Sequence, residues 1–230
     1  MTALVTAVPH KVYGWIDAGP FRDWCARCRR PSLTCFCAFI EPFESLPCFV
    51  ILSQPRETKH RLGTGRMAHL GLSNSQWFEG VDFSYHPQVN WLIADPVNAP
   101  MLLYPGRDAV NVSHINPIER RGLIAGPRTP VVFVLDGTWK SVRKMLRLSD
   151  NLRRLPRICF QPPAPSVYGF RREPRPECYS TIEAIHQVIE LFDDPGIDGK
   201  PPRRHDRLLD PFHFMVATQL SYAPPSLDRI

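Results

Sequence analysis

No stretch of 18 apolar residues occurs in this sequence, so a membrane-spanning helix is not expected. The first residues lack a basic segment followed by a long apolar core, so a secretory leader is not expected either. The cysteines number seven, an odd count that argues against a fully paired disulfide framework and for a reducing, cytoplasmic setting. No internal repeat is visible. His205 and His213 have no metal-ligand spacing and read as surface or core histidines. Proline is the opposite case: 25 residues, most of them at segment edges, where they stop helices and strands.

What is present suits a folded chain. A length of 230 residues allows one domain of ordinary core size with a small appendage. A hydrophobic content of 43% sets disorder aside. The 28 basic against 22 acidic residues give a formal charge of +6, which favours a polyanionic partner.

The most informative stretch runs from Val131 to Lys140. Pro130 precedes five apolar residues, four of them β-formers, which predicts a fully buried strand. Asp136 arrives at its carboxyl end and Gly137 permits a tight turn. From Trp139 the period becomes helical, with Trp139, Val142, Met145 and Leu146 on one face and Lys140, Arg143, Lys144 and Arg147 mostly off it. This strand, turn and helix place Asp136 at the carboxyl edge of an α/β sheet, where open α/β folds bind ligands. The plainer alternative is that Asp136 or Thr138 caps the helix.

Cys25, Cys28, Cys35 and Cys37 form a second signal: C-x-x-C, a six-residue gap, then C-x-C. Two close thiol pairs joined by a turn suit a tetrahedral zinc ion, and four thiolates leave no open coordination position, so the metal is expected to be structural. A redox dithiol and chance clustering compete with this, but the thioredoxin-like context of a redox C-x-x-C is absent. Cys48 and Cys159 lie in apolar runs and read as core residues.

Further strands are expected at 47–52, 90–94, 100–103 and 157–160, about five in all with the central one, which favours an α/β sheet with parallel members. Between them lie a Gly-Thr-Gly turn at 63–65, opening a helix to about Leu72, and a Tyr104-Pro105-Gly106 turn at a strand's carboxyl end. A basic loop carrying Arg171, Arg172 and Arg175 leads into a helix in which Ser180 and Glu183 have capping-box spacing. The last helix is expected to start with Asp210 as cap and Pro211 behind it.

Taken together, these motifs resemble the DTW-domain family, whose Asp-x-Thr-Trp signature stands here as Asp136-Gly137-Thr138-Trp139. Cys25, Cys28, Pro31, Cys35 and Cys37 match its cysteine block. Further matches are Pro55-Arg56-Glu57, Thr64-Gly65-Arg66, Tyr104-Pro105-Gly106 and the block from Arg171 to Ala184. Gln54 and Gly63 depart from the family's frequent His and Asn. The resemblance implies a SPOUT-like knotted sheet with flanking helices, an N-terminal arm and four-cysteine zinc lobe over 1–40, and a catalytic domain over 41–230. It also implies that S-adenosylmethionine donates its 3-amino-3-carboxypropyl group to N3 of a uridine in the tRNA variable loop.

In that frame Asp136 is the candidate base or sulfonium partner, with Thr138 and Trp139 beside it. Thr64, Leu103, Tyr104, Pro105, Gly106, Leu135, Ser180, Thr181 and Glu183 are candidates for holding the donor, although the spacing of Glu183 by itself reads as a cap. Arg171, Arg172 and Arg175 would meet tRNA phosphates, with Arg27, Arg29 and Arg30 of the zinc lobe as a second basic surface. Two rival readings share parts of this frame: a SPOUT-type RNA methyltransferase, and a non-catalytic zinc-bearing RNA-binding module.

Overall fold

The apolar run after Pro130 sits inside the strand Thr129–Asp136, with a strand on each side. The computed structural model describes residues 15–17, 23–57, 63–168, 178–192 and 203–222. In chain order the strands and α-helices are β1 (Trp15–Asp17), β2 (Asp23–Cys25), β3 (Cys48–Ser53), α1 (Gly65–Gly71), β4 (Gln76–Glu79), α2 (Pro87–Ala94), β5 (Asn98–Leu103) and β6 (Val110–Asn111). They continue with α3 (Pro117–Gly122), β7 (Thr129–Asp136), α4 (Trp139–Leu148), α5 (Asp150–Arg153), β8 (Arg157–Cys159), α6 (Thr181–Phe192) and α7 (Asp210–Ser221). A 3-10 helix, Arg204–Leu209, precedes α7.

Six strands form one sheet in the order β4-β3-β7-β5-β8-β6, and every pairing in it is parallel. The expected α/β class with a parallel sheet and flanking helices is what the chain adopts. β1 and β2 pair antiparallel outside this sheet.

Helices cover both faces, so the central strands are apolar on both sides. Phe49 and Ile51 of β3, with Val132 and Val134 of β7, face a layer built from Met67 and Ala68 of α1, Ile182 and Ile185 of α6, and Phe212 of α7. Val50 and Leu52, with Val131, Phe133 and Leu135, face the other layer, built from Val89 and Leu92 of α2 and Val142, Met145 and Leu146 of α4. The continuous hydrophobic run of β7 is the consequence.

One expected strand is a helix. Asn90–Ala94 is the second half of α2, whose start signal lies just upstream: His86 accepts the Val89 N–H at 3.4 Å and Pro87 takes the first helical position. Val89 and Leu92, three apart, are buried, whereas Trp91 is 63% exposed. β4 and β6 are edge strands of four and two residues, too short to show a period. Cys48 and Cys159 are half-buried strand ends rather than core residues. Asp210 is the first residue of α7 and not its cap, because the 3-10 helix runs straight into it. Among the described residues no helix is long and apolar enough to cross a membrane.

Candidate active site

β3 and β7 are neighbours whose chains leave the sheet on opposite faces: α1 follows β3 into one layer and α4 follows β7 into the other. Divergence of this kind opens a crevice outside the carboxyl ends of the two strands, the usual ligand position in an open α/β sheet. Ser53 ends β3, Asp136 ends β7, and the two are paired across the strands in register.

Asp136 is only 4% exposed. The Ser53 hydroxyl donates to its Oδ2 at 2.7 Å, and the Thr181 hydroxyl, from the first residue of α6, donates to its Oδ1 at 2.7 Å. Gly65, the first residue of α1, closes the third side: a Cβ there would lie 2.5–2.7 Å from the carboxylate atoms, inside any tolerable contact. Only glycine fits, which is the physical content of the Gly-Thr-Gly turn. The neighbouring Thr64 is buried as well, and its carbonyl starts α1 by accepting the Ala68 N–H at 3.1 Å. Thus β3, β7, α1 and α6 converge on one carboxylate.

The helix cap after the turn is Thr138, whose Oγ1 accepts the Ser141 N–H at 3.3 Å. Asp136 is thereby released from the capping role that the sequence leaves open to either residue. Trp139 starts α4 half-buried, with its ring 6.3 Å from that of Tyr104. Tyr104 follows β5 and is anchored by its N–H on the Ile158 carbonyl at 3.0 Å, while the Arg157 guanidinium stands 5.9 Å from the centre of its ring. Pro105 and Gly106 are exposed beyond it; Leu103 is half-buried in the α6 layer, and Leu135 packs into the α4 layer.

Glu183 is buried and fully occupied. It accepts the Ser180 N–H at 2.9 Å and hydroxyl at 2.6 Å, the Val167 N–H at 3.0 Å and the Ser166 hydroxyl at 2.8–2.9 Å. It caps α6 and pins the 166–168 segment, so what it offers a ligand is shape and not a free carboxylate. Arg171, Arg172 and Arg175 lie outside the described residues. Among the described residues, Lys140, Arg143, Lys144 and Arg147 are exposed along α4, a helix with no acidic residue.

The four clustered cysteines meet as their spacing predicts. Their sulfurs lie within 4.8 Å of one another, with Cys25–Cys37 and Cys28–Cys35 at 3.6 Å, and none forms a disulfide. A zinc ion about 2.3 Å from each of four sulfurs sets them about 3.8 Å apart, so the donor set fits. Thiol hydrogen bonds from Cys28 and Cys37 hold Cys35 well below the usual thiol range, while the bond to Cys35 pushes Cys28 up. The lobe is tied to the crevice: Arg66 of α1 donates to the Arg27 carbonyl at 2.8 and 3.3 Å, and Arg30 donates to the Gly63 carbonyl at 3.3 Å.

Ser53 and Arg157 carry no motif in the sequence. Ser53 could be found only through the strand register, and Arg157 only through the packing of β8 beside β5.

A DTW domain matches residues 22–220. Over 206 residues the chain is 31% identical to a Drosophila melanogaster protein named tRNA-uridine aminocarboxypropyltransferase 2, covering 86% of this chain and 76% of the relative. Over 237 aligned positions it is 26% identical to an Arabidopsis thaliana protein named tRNA-uridine aminocarboxypropyltransferase A, covering 93% of this chain and 87% of the relative. No solved structure is a significant match.

Proposed function

The chain belongs to the DTW-domain family, and on that footing we propose that it is a tRNA-uridine aminocarboxypropyltransferase that uses S-adenosylmethionine as donor. The observation that carries the reading is the position of the family's signature: Asp136 stands at the carboxyl end of a central strand, in the crevice where β3 and β7 diverge. The names of the two relatives support the same activity.

The chemistry asks for three things. The sulfonium must be held so that the γ carbon of its amino-acid chain faces uridine N3, since a sulfonium has three electrophilic carbons and the pocket selects among them. The N3 proton must leave as the N3–carbon bond forms and the carbon–sulfur bond breaks, releasing a neutral methylthio nucleoside. The tRNA must be held by its phosphates. Tyr104 to Gly106, Thr64 and the start of α6 border the crevice and would enclose the donor. Asp136 supplies negative charge there, either as base toward N3 or as the buried anchor that fixes Ser53, Thr181 and the Gly65 turn.

For the tRNA, α4 is the natural track, because its basic side chains begin one residue after Trp139. Arg171, Arg172 and Arg175 extend the same role in this reading. Cys25, Cys28, Cys35 and Cys37 would hold a structural zinc in a lobe spanning residues 1–40, leaving 41–230 as the catalytic domain. The seven free thiols suit a cytoplasmic setting.

Mass spectrometry of tRNA nucleosides from cells with and without the protein tests the proposal. Loss of a 3-amino-3-carboxypropyl uridine supports it. Loss of a methylated nucleoside instead would replace it with methyl transfer, and an unchanged nucleoside profile would reject catalysis on tRNA.

A further inference from the structure

A second cluster of metal-ligating groups, sharing no residue with the cysteine lobe, joins α6 to the 3-10 helix before α7. His186 and Glu190 are one turn apart on α6 and so share a face. His205 and Asp206 stand at the start of the 3-10 helix that packs on α6. His186 Nε2 is 2.8 Å from Asp206 Oδ1, and His205 Nε2 is 2.5 Å from Glu190 Oε2 and 4.0 Å from Asp206 Oδ1. All four atoms lie within 4.8 Å of one another, and the two imidazole rings are 5.0 Å apart.

We propose that His186, Glu190, His205 and Asp206 form a site for a divalent transition-metal ion, with zinc the best-suited class. Two imidazole nitrogens and two carboxylate oxygens are a donor set that zinc accepts, at about 2.0–2.2 Å each. Tetrahedral placement at that radius puts the donors about 3.3 Å apart, inside the spread seen here. His186 and His205 each meet a different carboxylate, and the 4.0 Å from His205 Nε2 to Asp206 Oδ1 brings the two pairs together, with all four donor atoms within 4.8 Å. Both rings are buried, His186 at 9% and His205 at 3% exposure, whereas the Asp206 and Glu190 side chains stay partly open and leave an entry path.

Arg203 adds the outer support that metal carboxylates commonly have. Its Nη1 donates to Glu190 Oε1 at 2.8 Å and its Nε to Asp206 Oδ2 at 2.8 Å, the oxygens turned away from the histidines. Its Nη2 also reaches Asp206 Oδ1 at 3.1 Å. Four protein donors complete a tetrahedral set and leave no open position, so the ion is structural. It joins α6 to the segment entering α7. Because the first turn of α6 carries Thr181 onto Asp136, the ion steadies the helix that forms one wall of the crevice.

Cobalt(II) titration of the chelator-stripped full-length protein separates this site from the cysteine lobe. Thiolate coordination gives a near-ultraviolet charge-transfer band; nitrogen and oxygen coordination gives visible ligand-field bands without it. One equivalent of thiolate-free cobalt is expected in the wild-type chain. His186→Gln and His205→Gln should each abolish that equivalent while leaving the thiolate band, which also reports that the lobe is folded. Arg203→Ala should weaken it roughly 10–100-fold, as losses of outer-sphere partners do. A wild-type titration without a thiolate-free equivalent would overturn the site, and so would an equivalent that survives in both histidine variants.

Discussion

Gly65 lies against Asp136 so closely that a single methyl group added to it would occupy space the carboxylate already fills, 2.5 Å from its Cγ. The contact makes Gly65→Ala a probe of the crevice. Either Asp136 leaves Ser53 and Thr181 or α1 backs away. The expected destabilisation is about 1–3 kcal/mol, the range for overpacking a tight interior site, together with loss of most of the activity. Urea unfolding and a single-turnover assay measure the two effects. A variant of wild-type stability and rate would mean that α1 shifts freely, and would remove the turn from the site.

Asp136→Asn separates the roles open to that carboxylate. If Asp136 is the base, donor affinity holds and turnover falls by roughly 10²–10⁴-fold, the usual contribution of one general base. If its charge holds the sulfonium, donor affinity falls with the rate. If it is an anchor alone, the effect appears in unfolding, because an amide oxygen replaces only one of two acceptors and its NH2 faces a hydroxyl. Donor binding, single-turnover rate and denaturation are read on the same sample. Wild-type values in all three would take Asp136 out of the site.

Metal analysis of the cysteine lobe should find about one zinc held by the four thiolates, as a closed tetrathiolate site requires. Cys28→Ser or Cys37→Ser should lower solubility or melting temperature and release that ion. Unchanged stability in a protein whose lobe carries no metal would exclude the zinc reading.

Binding of tRNA should weaken steeply with salt through phosphate contacts. The paired change Lys144→Ala and Arg147→Ala should reduce the slope of log affinity against log salt by roughly one per lost contact, with little change in which tRNA is preferred. The pair Arg171→Ala and Arg172→Ala tests those two arginines in the same way. An unaltered slope in the α4 pair would move the phosphate track off that helix.

Glu183→Gln should cost about 1–3 kcal/mol, because hydrogen bonds to a buried carboxylate are replaced by an amide that must donate as well as accept. Calorimetric melting checks this, and a silent change would show that the α6 cap is dispensable.

Local signals were legible in the sequence and distant ones were not. β7 announces itself because both its faces are buried, so no alternation hides it. The four cysteines fall within 13 positions and their geometry follows from spacing. α2 is hidden because the apolar segment 90–94 is too short to show its period; the decisive residues, His86 and Pro87, precede it. The partners of Asp136 are 83 and 45 residues away in the chain and meet it only through strand register and the seating of α6. His205 fits no ligand spacing along the chain because its companions His186 and Glu190 come from another helix.

Residues 65 and 66 are adjacent in the chain and face different neighbours. The first leans on the carboxylate of Asp136, and the second holds the carbonyl of Arg27 between two cysteines of the lobe. One peptide unit therefore contacts both the lobe and the carboxylate, beside the bond from Arg30 to the Gly63 carbonyl. The separation between a bond to the lobe and a contact with the Asp136 carboxylate is thus a single residue along α1.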